Sequence, residues 1–99
     1  MIGIITNSRE SWISGKEKYP CLVVLINGEN ACVDYFGTDE RDCWLSKSEG
    51  TQRVVFTAGG EEWEAPADAV VSVKAALECV KLFCETPERP NNIKWQYGV

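Results

Sequence analysis

The six residues Cys21-Leu22-Val23-Val24-Leu25-Ile26 are apolar at every position. A strand with one wet face alternates apolar and polar residues. An unbroken apolar run therefore needs cover on both faces or a central place in a sheet. Asn27-Gly28-Glu29-Asn30 follows as a hairpin turn, because Asn-Gly supplies the positive φ angles of a tight connection. Ala31–Phe36 is then the return strand. With Gly28-Glu29 as the central pair, Ile26 faces Ala31, Val24 faces Val33 and Leu22 faces Tyr35. That face is apolar throughout and is the expected seat of a helix. The opposite face carries Asp34 and is expected to be more open.

The helix is found at residues 72–86. Val73, Ala76, Leu77, Val80, Phe83 and Cys84 recur at three- and four-residue spacing, which gathers them on one face. Lys74, Glu78, Lys81 and Glu85 alternate in sign on the other, as suits a solvated surface. Ser72 is the expected N-cap, and Pro87 and Pro90 end the helix. Ile93, Trp95 and Tyr97 then alternate with Lys94 and Gln96, the period of a half-buried strand. Cys43–Ser46 is a further short strand. Gln52–Thr57 and Glu61–Ala65 form a second hairpin across Ala58-Gly59-Gly60, with Phe56 facing Trp63, Val54 facing Ala65, and Glu62 and Glu64 turned away. Near the start, Thr6, Asn7 and Ser8 are capping residues and predict a short helix over about Ser8–Ile13, with Trp12 and Ile13 facing inward. The fold class is α+β. One antiparallel meander sheet of five to six strands carries one main helix on one face and a closing C-terminal strand, in a single domain over residues 1–99.

Charge and cysteine usage narrow the function classes. The net charge is −5, with 15 acidic against 10 basic residues. Such a balance disfavours a protein that tracks nucleic-acid phosphates and suits a basic protein partner. No apolar run approaches a membrane span, and Met1–Thr6 lacks the features of a secretory signal, so no membrane association is expected and a cytoplasmic location is. The five cysteines, at 21, 32, 43, 79 and 84, are odd in number and form no Cys-x-x-Cys pair. They read as reduced apolar fillers. With no histidine in the chain, neither a zinc site nor ordinary general-base catalysis is expected, and no cysteine has an activating neighbour in sequence. The chain is read as a non-enzyme without cofactor or metal. Gly59-Gly60 is a turn and not a phosphate loop, since no Lys-Ser/Thr follows at the required spacing.

Pro66, Val71-Ser72, Ala76, Phe83, Thr86, Arg89-Pro90, Ile93 and Trp95, with Phe56, Gly60 and Glu64-Ala65-Pro66 upstream, form a spaced set of apolar and turn residues. This set resembles the C-terminal signature of the first-numbered immunity-protein family of bacterial polymorphic toxin systems. The likeness is densest over residues 54–95. Pro87 departs from it, standing where members carry glycine after the helix, and the N-terminal segment is short for the family's first helix. The resemblance implies an inhibitor that binds one cognate toxin domain, a deaminase or nuclease, and occludes its active site. Most of the matched residues have structural roles by their pattern: Ala76 and Phe83 on the buried helix face, Arg89-Pro90 in the turn, and Trp95 with Ile93 and Tyr97 on the strand.

The partner-binding residues are therefore sought in the loops and on the sheet. Asp39, Glu40 and Asp42 form an acidic loop beside Trp44, and Glu62 and Glu64 line the outer face of the second hairpin. Acids steer a basic partner during encounter, and a buried tryptophan slows its departure. Trp12 is a second tryptophan whose sequence context leaves either burial or exposure open. The alternative reading is a small-molecule or peptide-binding module on a concave sheet face near Asp34, Tyr35 and Trp44. Homodimerisation is left open.

Overall fold

A computed structural model describes residues 8–97. The expected α+β architecture is present. Strands β1 (Ser8–Ser14), β2 (Cys21–Asn27), β3 (Asn30–Phe36), β4 (Cys43–Lys47) and β8 (Lys94–Tyr97) lie in that order across one antiparallel sheet. The short β7 (Val71–Ser72) also pairs with β3 and leads directly into helix α1 (Val73–Glu85). Strands β5 (Val54–Ala58) and β6 (Glu61–Ala65) make a separate hairpin. A 3-10 turn, Ala67–Ala69, joins that hairpin to β7.

Both hairpin registers follow the turn chemistry. Leu22 pairs with Tyr35, Val24 with Val33 and Ile26 with Ala31. In the second hairpin Val54 pairs with Ala65 and Phe56 with Trp63. Gly28, Gly59 and Gly60 have φ of 66°, 62° and 82°, the region glycine enters without steric cost. The face of Leu22, Val24, Ala31 and Val33 packs against Ala76, Cys79 and Phe83 of α1. Ser72 caps the helix by accepting a hydrogen bond from the Ala75 N–H at 3.0 Å. The buried stripe is narrower than the periodicity suggests, for Leu77 is 55% exposed and Cys84 is also outside. Each is one position, about 100°, past a buried residue, which puts it at the margin of the sheet contact. Thr86 is extended, as the residue before a proline prefers, so Pro87 stops the helix cleanly.

The opposite sheet face is the first correction. It is not generally open, because the β5–β6 hairpin lies across it. Cys21, Val23, Leu25 and Cys32 pack with Phe56, Ala65 and Ala69 into a second core. The hairpin contacts β1 and β2, and the Asn27 side chain fixes it by donating to the Val55 carbonyl at 2.7 Å. The all-apolar strand is thus central and covered on both sides. Fully burying one leucine or phenylalanine contributes roughly 1.5–3 kcal/mol, so two covered faces are a large gain for a chain this short.

The second correction is the N-terminal segment. Residues 8–14 form a strand, not a helix, and pair along the whole of β2, from Ser8 opposite Asn27 to Ser14 opposite Cys21. A helix of one or two turns makes few internal hydrogen bonds. The same residues in β1 satisfy an otherwise open edge of the most apolar strand. Trp12 and Ile13 accordingly point to opposite faces. Ile13 joins the helix-side core, and Trp12 lies on the hairpin side and is 60% exposed. The capping residues Thr6 and Asn7 lie outside the described residues.

Candidate functional site

The acidic loop between β3 and β4 is built by its own carboxylates. Gly37 N–H donates to the Asp42 carbonyl at 2.9 Å, and Thr38 N–H donates to the Asp42 carboxylate at 3.2 Å. One oxygen of Asp39 accepts from the N–H groups of Arg41 at 2.8 Å and Asp42 at 3.2 Å. A side chain at Gly37 would meet the Asp42 carboxylate and push it from its place beside the Thr38 N–H. Asp39 and Asp42 therefore shape the loop as well as charging it. Glu40 is exposed and is given no such duty.

Trp44 follows on the helix side of the sheet. Its indole N–H donates to Asp42 at 3.1 Å, the Arg89 guanidinium lies 4.3 Å from its ring centre, and Tyr97 meets it edge-on at 5.0 Å. The tryptophan is half-buried and already occupied on three sides. Tyr97, expected to point inward with Ile93 and Trp95, is 67% exposed at the sheet edge, and its hydroxyl donates to the Arg41 carbonyl at 3.2 Å. Glu62 and Glu64 are exposed on β6 as expected, and Glu64 pairs with Arg53 at 3.4 Å. The structure thus brings Asp39, Glu40, Asp42 and Trp44 into one loop and strand. Glu62 and Glu64 stand on a separate element, with no hydrogen bond or ion pair between the two groups among the described residues.

The residues of the family signature serve the scaffold. Ala76 and Phe83 are buried against the sheet, and Pro90 is buried in the turn. The Trp95 indole N–H donates to the Pro90 carbonyl at 2.7 Å. Asn92 ties this turn to α1, donating to the Ala75 carbonyl at 3.1 Å and accepting from Cys79 at 3.2 Å.

Asp34 and Trp44 cannot share a concave face. Asp34 pairs with Leu45, and Tyr35 with Trp44, so alternation sends Asp34 to the hairpin side and the two aromatics to the helix side. A cleft of about 1140 Å³ lies elsewhere, between the Gly28 turn, residues 50–54 and the start of α1. Among the described residues no group of three or more cysteine and carboxylate side chains is placed to hold a metal. Burial works against thiolate formation at four of the cysteines: it raises Cys21, pushes Cys32 up to about 12, and pushes Cys43 and Cys79 up to about 11.

Around Asp34 is a constellation that the helical reading of residues 8–13 concealed. Burial, with a smaller push from the Glu10 charge, raises its carboxyl to about 6. Glu10 itself holds two neighbours, accepting from the Gly59 N–H at 2.9 Å and from the Trp12 indole at 3.0 Å. Trp12 lies parallel to Phe36, with ring centres 6.1 Å apart. The signal for this arrangement was the bare edge of β2, which called for a partner strand.

No curated protein matches the chain. The family model described as immunity protein Imm1 matches residues 3–97. It extends the likeness from the C-terminal block through both hairpins and β1, so the chain belongs to the Imm1 family of immunity proteins.

Proposed function

We propose that this protein neutralises one cognate bacterial toxin domain of nucleic-acid-directed chemistry, a deaminase or nuclease, by binding over its active site in the cytoplasm. The reading rests on family membership across residues 3–97. Physical support comes from the charge. A toxin acting on nucleic acid presents a basic cleft, and an inhibitor of net charge −5 with an exposed acidic loop is drawn to it. The inhibitor acts by occupancy and needs no catalytic group of its own. Asp39, Glu40, Asp42, Glu62 and Glu64 supply the steering field, with Trp44 as an apolar contact beside the loop.

The direct test is residual activity of the toxin domain encoded beside this chain, assayed with the chain in molar excess. Full toxin activity under those conditions would end the proposal. Glu40→Lys is the cleanest probe of steering, since it reverses a charge without removing a loop hydrogen bond. Its association rate should fall several-fold at low ionic strength, and the difference should shrink as salt is added. An unchanged association rate would remove the loop from the steering surface.

A further inference from the structure

Trp12 is an unusual surface residue. It is 60% exposed, yet two contacts hold it in place. Its ring lies within 5° of parallel to Phe36, its N–H donates to Glu10, and Glu10 is in turn fixed by the Gly59 N–H at 2.9 Å. A large, immobilised aromatic loses little conformational entropy when a partner covers it. Tyr19 packs against the same Phe36, 6.4 Å between centres, and extends the aromatic surface toward the acidic loop. Tyr19, Lys18, Asp39, Glu40 and Arg41 line a groove of about 420 Å³ there. Lys18 lies over the Tyr19 ring at 5.5 Å. Asp34 is two residues before Phe36 on the same sheet face and half-buried, and its carboxylate has no hydrogen bond or ion pair from any described residue.

We propose that the Trp12–Phe36–Tyr19 surface, with Asp34 beside it, is a docking site for a protruding arginine or lysine of the toxin domain. The site rests on the immunity reading and names where and by what chemistry the partner is held. A guanidinium or ammonium gains from the tryptophan face and from a carboxylate that lacks a counter-charge. An aliphatic partner would desolvate Asp34 further and offer it nothing. A second copy of this chain, or a nucleic acid, would bring negative charge against Asp34, Glu10 and the acidic loop. Trp12, not Trp44, is then the anchoring tryptophan, because Trp44 is already engaged by Arg89, Tyr97 and Asp42.

The experiment measures binding of the intact chain, Trp12→Ala and Asp34→Asn to a catalytically inactive form of the neighbouring toxin domain. Circular dichroism and thermal melts of each free variant accompany it. Trp12→Ala should weaken binding about tenfold or more, mostly through faster dissociation, with the melt nearly unchanged. Asp34→Asn should weaken binding about tenfold while leaving the free protein at least as stable as the parent. A structural role would move binding and stability together, so opposite signs at Asp34 support the site. If the parent binds and both variants match it within about twofold, the site is wrong and the immunity reading survives. If the parent neither binds nor protects, the immunity reading fails and takes the site with it.

Discussion

Replacing Asp34 by asparagine should make the protein more stable at neutral pH. The carboxyl is raised from 3.8 to about 6, first by burial and then by the charge of Glu10. Its value in the folded protein lies above that in the unfolded chain, so ionisation opposes folding. The cost is complete above the folded value, falls as the pH drops through about 6, and is gone below 3.8. A shift of this size corresponds to about 3 kcal/mol at pH 7.5 and about 1 kcal/mol at pH 4.5, the second figure reflecting partial ionisation of the unfolded chain. Asparagine has nearly the same shape and no charge to desolvate. Urea unfolding of parent and variant at the two pH values measures the difference. The variant should lead by roughly 2–3 kcal/mol at pH 7.5, and the lead should shrink by about two-thirds at pH 4.5. A variant less stable than the parent at pH 7.5, or a lead that does not change with pH, would refute the reasoning.

Two further outcomes are expected. Ser46 is wholly buried, donating to the Ala69 carbonyl at 2.7 Å and accepting from the Val33 N–H at 3.1 Å, so it links β4 to β3 and to the 3-10 turn. Ser46→Ala leaves both backbone groups unpaired and should cost about 2–4 kcal/mol in urea unfolding; a loss under about 0.5 kcal/mol would mean that neither bond matters. Brief treatment with a thiol reagent at pH 8, read by mass spectrometry, should modify the exposed Cys84 first, while Cys32 and Cys79, buried and raised to about 12 and 11, should react only on unfolding. Labelling of Cys32 as fast as Cys84 would show that the sheet core opens readily.

The parts of this fold that were legible in the sequence are those governed by neighbours along the chain. Asn27-Gly28 and Gly59-Gly60 set their hairpin registers because turn geometry and the two-residue strand period act over a few residues. Ser72 at the start and Thr86-Pro87 at the end bounded the helix for the same reason. Its buried stripe is narrower at Leu77 and Cys84 than the periodicity implies, since the width depends on how the helix meets the sheet. The candidate site was less legible. Asp39, Glu40 and Asp42 form one loop as their adjacency suggested, but the hydrogen bonds that commit Asp39 and Asp42 to shaping it depend on the loop's path. Trp44 stands beside that loop as its position implies, but it is half-buried between Arg89 and Tyr97, residues 45 and 53 positions away in sequence.

The sequence by itself determined that the Cys21–Ile26 strand would need cover on both faces and which of its faces would receive the helix. Only the tertiary structure decided what covers the other face, and what pairs with its free edge. The β5–β6 hairpin and residues 8–14 fill those places. Neither outcome is written in local periodicity, because several apolar segments compete for one surface and the winner is set by which arrangement buries most and leaves fewest backbone groups unpaired. That competition turned a segment with helix-capping residues into an edge strand. It left Trp12 on the surface, stacked on Phe36 and held by Glu10 near an uncompensated carboxylate.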